Sequence, residues 1–193
     1  MKQPVAEWID IEAQLRPETD LERQLLQDPD FLQGLLWGVP RYGHPEGEVY
    51  KHIREVLDNI DRLDVDQLMR KRLRIIAFVH DTFKYIEDKS TPRDWSKHHG
   101  PLARRFMERF TTDEAILDTI ELHDEAYHCW RIKHLHQDHD SAGLRLKELL
   151  DRIGEHRQLY YLFFKCDTKT GDKNPAPLNW FEQNIPGIEI VAI

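Results

Sequence analysis

The sequence predicts an all-α protein, built as a single, orthogonally packed helical domain of about seven helices. Helical periodicity runs through most of the 193 residues, and the alternation of apolar and polar residues that is typical of strands is almost absent. This length fits one domain with one core, and the sequence contains no internal repeat. We therefore expect residues 1–193 to form one unit, with a metal-site core over about 44–167 and an irregular tail over 168–193.

Three helices are predicted in the N-terminal half, each from apolar residues that recur three or four positions apart. The first covers about 19–36 and carries a stripe of leucines. A loop over 38–47, with three glycines and two prolines, then interrupts the periodicity. The second helix covers about 49–63 and the third about 65–85, and a polar loop that contains Pro92 follows them.

Four further helices are predicted in the C-terminal half on the same spacing of apolar residues. They cover about 98–110, 113–130, 142–153 and 158–167. The aromatic run over 160–164 is interpreted as core packing. The tail contains three prolines and three asparagines, so we expect it to be irregular, with a short extended segment over 188–193.

Composition and charge exclude several classes of function. The formal net charge of −8 argues against an extended nucleic-acid-binding face. No segment approaches the ~20 apolar residues that are needed to span a bilayer, and the acidic N-terminus has no signal-peptide pattern. Two cysteines make no disulfide framework, so a cytoplasmic location is expected. An anionic substrate would have to be attracted locally, by a metal or by a few basic side chains.

A histidine and an aspartate in direct succession, His80 and Asp81, are the most informative feature of the chain. Other histidines and one aspartate lie three, four or seven positions from apolar residues of their own helices, so they point toward the core. Burying such groups without partners would cost several kcal/mol, and a shared metal ion removes that cost. The candidate ligands are His52, His80, Asp81, His99, His123 and Asp167. Four other histidines lie in polar surroundings and are predicted at the surface, namely His134, His136, His139 and His156.

These residues resemble the pattern of the HD-domain metal-dependent phosphohydrolase superfamily over roughly 44–167. Residues 44–52 (HPEGEVYKH) and 95–100 (WSKHHG) look like segments of the HD domain of bacterial tRNA nucleotidyltransferases, whose nucleotidyltransferase head is missing here. The resemblance implies a phosphomonoesterase or phosphodiesterase that acts on a nucleotide-like or other small phosphorylated substrate. It also implies one or two divalent transition-metal ions, such as iron, manganese, nickel, zinc or cobalt.

The resemblance also implies roles for individual residues. One ion would be held by His52, His80, Asp81 and Asp167, and a second would add His123 and either His98 or His99. We favour His99 as the ligand, because this choice places Phe106 and Phe110 on the buried stripe. His98 would then face the cavity or solvent as a supporting group or proton donor.

Three residues are assigned catalytic roles on this basis: Asp81 as the carboxylate between two ions, Lys84 as a phosphate-facing group, and His98. Lys84 follows Asp81 by three positions, one helical turn along the same face. The loops over 41–48 and 168–173 are expected to border the site.

Two other functions fit the same residues. Some HD-fold proteins, such as myo-inositol oxygenase, use four histidines and two aspartates to hold two irons and activate dioxygen. A non-catalytic, metal-containing sensing module is the third possibility, and the intact ligand set with Lys84 argues against it. Substrate, native metal and oligomeric state are left open by the sequence.

Overall fold

The computed structural model describes residues 9–193, and this part of the chain is helical, as predicted. It contains eleven α-helices and three short 3-10 helices. In residues 9–193 the only β-type pairing is an isolated bridge between Arg41 and His44, so no strand is formed. The extended segment expected over 188–193 is irregular backbone without strand pairing.

Two of the predicted helices are each divided into two α-helices, and two further α-helices lie outside the predicted ranges, which explains why there are more than seven. The α-helices are α1 (Ile11–Leu15), α2 (Asp20–Leu25), α3 (Pro29–Leu35), α4 (Val49–Ile60), α5 (Gln67–Val79), α6 (His99–Met107), α7 (Glu114–Leu122), α8 (Glu125–His134), α9 (His139–Ile153), α10 (Arg157–Thr168) and α11 (Ala176–Asn184). The 3-10 helices cover Thr82–Ile86, Trp95–Lys97 and Gly154–His156.

The predicted helix over 19–36 is divided because Asp28 starts a new helix. Its carboxylate accepts hydrogen bonds from the backbone N–H groups of Asp30 and Phe31, at 3.0 and 3.1 Å. Pro29 occupies the first position of α3, where its missing N–H costs nothing. Local capping chemistry therefore overrides the continuous stripe of leucines.

The helix predicted over 65–85 ends at Val79, and the helix predicted over 113–130 is divided after Leu122. His80 and His123 are the residues at which α5 and α7 end, and Asp124 immediately precedes α8. Asp81 begins the 3-10 turn that carries Lys84. Candidate site residues thus lie at helix ends, where the backbone changes direction.

The tail was predicted to be irregular, and this prediction is wrong for α11. Leu178 and Phe181 of this helix are buried, and the Phe181 ring stacks parallel to Tyr161 at 6.4 Å between centroids. The Lys165 ammonium of α10 lies 2.6 Å from the Glu182 carboxylate of α11. Proline at the start of α11 suits a helix N-terminus, so the prolines that suggested a loop mark its beginning.

Helices α5 and α10 form the centre of the molecule. They pack against each other, and both pack against α4 and α7. Residues 160–164 of α10 are all buried, which confirms their interpretation as core. Candidate ligands on α4 and α10, and at the C-terminal ends of α5 and α7, therefore lie in one region of the molecule.

Candidate metal centre

Four imidazole rings converge on one buried region. His52, His80, His99 and His123 are each at most 3% exposed. Their Nε2 atoms form two pairs: His52 and His80 are 3.3 Å apart, and His99 and His123 are 3.1 Å apart. The structure thus brings together all four histidines that the sequence analysis proposed as ligands.

Backbone geometry directs two of these rings. His80 Nδ1 lies 3.0 Å from the carbonyl oxygen of Ala77, and His123 Nδ1 lies 2.8 Å from that of Ile120. These carbonyls belong to the last turns of α5 and α7, where intrahelical donors are missing. With the proton on Nδ1, each ring presents the lone pair of Nε2 to the centre.

A glycine allows the ends of α6 and α7 to meet. A side chain at Gly100 would place its Cβ 2.3 Å from the carbonyl oxygen of Glu121, so only glycine permits this approach. His99 precedes this glycine and His123 follows Glu121 by two residues. The close backbone contact therefore places the second pair of imidazoles side by side.

Asp81 lies between the two histidine pairs, with one carboxylate oxygen toward each. Its Oδ2 is 3.7 Å from His52 Nε2 and 3.6 Å from His80 Nε2. Its Oδ1 is 3.5 Å from His99 Nε2 and 3.4 Å from His123 Nε2. This is the arrangement expected of a carboxylate that is shared between two sites.

Each pair of histidines also has one further carboxylate beside it. Asp167 Oδ1 lies 2.9 Å from His52 Nε2, and Asp124 Oδ2 lies 3.3 Å from His99 Nε2. Asp124 is not among the ligands predicted from the sequence. We call His52, His80 and Asp167 the first lobe, and His99, His123 and Asp124 the second lobe, with Asp81 between them.

The donor set fits a divalent metal ion. Ligand atoms bound about 2.1 Å from one ion lie about 3.0 to 3.5 Å apart in octahedral and tetrahedral arrangements. Separations of 2.9 to 3.7 Å within each lobe are of this size. Asp81 Oδ1 is buried without a hydrogen-bond partner, which is costly unless a cation lies beside it. These buried groups can therefore hold a metal ion.

Two lysines contact the carboxylates of the centre. Lys84 Nζ is 2.5 Å from Asp81 Oδ2, and Lys173 Nζ is 2.8 Å from Asp167 Oδ1. Burial by itself raises the pKa of each aspartate, but the neighbouring ammonium and imidazole groups lower both pKa values well below the usual range. Both carboxylates are therefore ionised at neutral pH and available to a cation.

The pKa values of His80 and His123 shift in opposite directions. Burial lowers the pKa of His80. Burial also opposes protonation of His123, but Asp124 and Asp81 raise its pKa to about 9. A metal ion at His123 therefore competes with a bound proton at neutral pH.

His98 does not occupy the position predicted for it. We expected it to face the cavity or solvent, whereas it is 7% exposed and lies outside the cavity lining. As the residue that precedes α6, it accepts a hydrogen bond on Nδ1 from the Gly100 N–H at 3.4 Å. Its Nε2 lies 3.4 Å from Glu87 Oε1. Capping of α6 therefore turns this ring away from the cavity.

Two glutamates at the centre were not predicted. Glu46 Oε1 lies 3.3 Å from His52 Nδ1, and Glu87 Oε2 lies 3.5 Å from His99 Nδ1. Burial raises the pKa of each glutamate, but contacts with the histidines lower both values to about 2. Both residues lie outside the helices, in segments where hydrophobic periodicity carries no information.

A cavity of about 260 Å³ opens at Asp81 and Lys84. The two predicted loops provide much of its wall, and a glycine allows them to touch. Gly171 has φ +54°, and a Cβ at this position would lie 2.8 Å from Pro45 Cδ. The remaining wall comes from α8, α10 and α11. The lining residues are Tyr42, Gly43, His44, Asp81, Lys84, Asp124, Tyr127, Phe164, Asp167, Thr168, Lys173, Asn174 and Pro177.

Comparison with known proteins assigns no family to this arrangement. No protein-family model matches the chain, and no curated protein and no solved structure is significantly similar to it. Within residues 9–193, none of the helices has the length and apolar character needed to cross a membrane. The case for function therefore depends on the residues of the centre and of the cavity.

Proposed function

We propose that the protein is a metal-dependent phosphohydrolase of the HD-domain type that acts on a small phosphorylated molecule, such as a nucleotide. One observation carries the proposal: Asp81 lies between two histidine lobes and, together with Lys84, borders a cavity. Histidine nitrogens and carboxylate oxygens suit iron, manganese, nickel, zinc and cobalt, and cationic side chains suit phosphate. The substrate is a phosphomonoester or a phosphodiester.

In this proposal each lobe would hold one divalent ion, with Asp81 available to both. The first ion would be held by the first lobe and Asp81, the set that the resemblance to HD-domain proteins implies. The second would be held by the second lobe, to which the geometry adds Asp124 as a candidate ligand. Divalent ions at such centres lower the pKa of water and neutralise charge that develops on the phosphoryl group.

The lysines supply the anion-binding part of the site. Lys84 and Lys173 both line the cavity, and each contacts an aspartate oxygen that faces the histidines. When metal ions satisfy these aspartates, the ammonium groups can turn toward a phosphate in the cavity. They attract an anion locally, in a chain whose formal net charge is −8.

The cavity walls favour a compact substrate. A volume of about 260 Å³ lies just below the range for small-molecule sites, roughly 300–1,000 Å³. Tyr127 and Phe164 present aromatic surface beside the polar centre, which suits a substrate with a planar or apolar body. These dimensions favour a small molecule over a nucleic-acid chain.

The test combines metal analysis with a substrate panel. Purified protein is stripped with a chelator, reloaded with each of the five ions, and assayed on phosphomonoesters and phosphodiesters. We expect hydrolysis that depends on the ion and that Asp81→Asn reduces by more than the roughly 10- to 100-fold typical of loss of a supporting residue.

Other outcomes would identify the competing functions. Two irons per chain, no hydrolysis, and oxygen consumption with a small organic substrate would overturn the proposal in favour of a di-iron oxygenase. Protein that binds an ion but neither hydrolyses a substrate nor consumes oxygen would leave the metal-containing sensing module as the better interpretation.

A further inference from the structure

Each lobe contains one histidine whose Nδ1 faces a buried glutamate instead of a backbone carbonyl. Glu46 faces Nδ1 of His52 in the first lobe, and Glu87 faces Nδ1 of His99 in the second lobe. The glutamate side chains are only 5% and 6% exposed. Two buried carboxylates therefore approach the centre from behind its ligands, one on each side.

Both glutamates also contact a second, outer histidine. Glu46 Oε1 lies 3.0 Å from His44 Nδ1, and Glu87 Oε1 lies 3.4 Å from His98 Nε2. The same histidine–glutamate–histidine arrangement thus occurs twice, although the two copies come from unrelated segments of the chain. We call His44–Glu46–His52 the first relay and His98–Glu87–His99 the second relay.

We propose that Glu46 and Glu87 are positioning residues, each of which sets the metal affinity of one lobe. The inference rests on the metal centre of the proposed function. A carboxylate that accepts the Nδ1 proton holds Nε2 toward the ion and increases its basicity. Glu46 acts in this way on the ion of the first lobe, and Glu87 acts on the ion of the second lobe.

The contacts between each glutamate and its histidine are long enough to shorten into full hydrogen bonds. Separations of 3.3 and 3.5 Å are long for a hydrogen bond, and Nδ1 of both His52 and His99 is buried without a completed one. A small rotation of either ring brings its Nδ1–H onto the carboxylate. Binding of a cation at Nε2 fixes that rotation, so the glutamate contributes directly to affinity.

The relays are anchored differently. His44 lines the cavity, with 19% of its side chain exposed. His98 is buried, and its ring packs against Trp95 with 5.7 Å between centroids. In addition, the Arg93 guanidinium pairs with Glu87. The two glutamates therefore lie in separate surroundings, and replacing one leaves the contacts of the other in place.

The experiment measures Co(II) binding to the full chain by visible absorbance and by competition with a chelator. We expect the wild type to bind two ions. Glu46→Gln and Glu87→Gln should each weaken one ion by roughly 10- to 100-fold and leave the other unchanged. Glu48→Gln and Asp88→Asn are matched controls, because these neighbouring carboxylates pair with the surface lysines Lys51 and Lys97.

Ligand variants assign each effect to a lobe. In His123→Ala the first lobe should be the site with the higher Co(II) affinity, and in His80→Ala the second lobe should be. Glu46→Gln should weaken the ion that remains in His123→Ala and have no effect in His80→Ala, with the reverse for Glu87→Gln. Circular dichroism of each variant, recorded without Co(II), verifies that it is folded.

The possible failures are distinguishable. Two bound ions whose affinities respond to neither glutamate, or to both equally in each lobe, would overturn the relay inference alone. A wild type that binds no Co(II) would overturn this inference and the metal centre together. Absence of hydrolysis with two ions bound would count only against the proposed activity.

Discussion

The middle of α5 and the turn that follows this helix bury charge in opposite ways. In the middle of α5, Arg74 is 2% exposed and its Nε lies 2.9 Å from an oxygen of Glu22, which is fully buried. In the turn after the helix, Asp81 is 3% exposed and keeps an oxygen without a hydrogen-bond partner. The first arrangement is a closed pair of opposite charges, whereas the second is an open set of atoms that can bind a metal ion. Comparable burial seven residues apart therefore accompanies two different roles.

Local contacts explain the difference. The Arg74 guanidinium also donates to the carbonyl oxygen of Arg16, and Glu22 caps the start of α2 by accepting from the Thr19 N–H. Both charges of this pair therefore have partners within the chain, so we interpret the pair as stabilising the attachment of α2. Around Asp81, imidazole nitrogens and carboxylate oxygens face one another, and a cation can satisfy them together.

The largest expected effect comes from breaking the closed pair. Arg74→Met leaves the Glu22 carboxylate buried without its cation, so the free energy of unfolding should fall by about 3–5 kcal/mol. Urea denaturation measures this loss. The metal content of the folded variant should equal that of the wild type, because the polar contacts of Arg74 are with Glu22, Glu18 and Arg16 and with none of the candidate ligands.

The double variant Arg74→Met with Glu22→Gln is the control. It removes both charges and keeps a side chain that can cap α2, so most of the lost stability should return. Equal instability of the single and double variants would show that packing, and not the unpaired carboxylate, is responsible.

Binding of a metal ion at the open set should change the stability of the folded protein by a smaller amount. A ligand present at one hundred times its Kd stabilises the folded protein by about 2.7 kcal/mol. We expect this increment with Co(II) in the wild type and in Arg74→Met, and a much smaller one in Asp81→Asn. Thermal unfolding with and without the ion measures it, and full stabilisation of Asp81→Asn would contradict the proposed role of the shared carboxylate.

The lysines near the open set should affect catalysis more than stability. Lys173→Met removes one of two cationic groups at the cavity, and we expect kcat/KM to fall about tenfold, or about 1.4 kcal/mol. Lys169→Met is the matched control, because this lysine of the same segment donates to the carbonyl oxygen of Ile193. Equal losses in both variants would indicate a structural effect.

The last prediction concerns the dependence of metal binding on pH. The raised pKa of His123, about 9, means that a proton must leave before an ion binds. Affinity should therefore rise with pH up to about 9, by about tenfold per unit for each displaced proton, and fall as the solution is acidified. Titration in buffers of different ionisation enthalpy counts the protons. Release of no protons at pH 7 would contradict the assignment of His123 as a ligand.

The fold was predicted best where one face of a helix carries the signal. Ile53 and Val56 of α4 are fully buried, as the periodicity indicated, and His52 on the same face points inward with them. The periodicity did not show where the chain breaks. Helix α7 ends at Leu122 and α8 begins at Glu125, although no glycine or proline marks the break between them in the sequence.

The site residues, like the fold, were predicted where a helix carries the signal and missed in the loops. Residues on helix faces or at helix ends, such as His99 and Asp167, were selected, and the structure places them at the centre. Glu46 and Glu87 lie in segments where a carboxylate is usually solvated, so nothing local marks them as buried. His98 was placed on the wrong side because capping of α6, and not the apolar stripe, determines its orientation.

The origin of the ligands in separate helices also has a kinetic consequence. Between His52 in α4 and Asp167 in α10 the chain forms most of its helices, and an ion meets its full set of ligands only after these have docked. A partly folded transition state therefore binds the ion weakly. We expect a bound ion to slow unfolding while leaving the rate of folding nearly unchanged, so that the protein's lifetime in the folded state depends on metal supply.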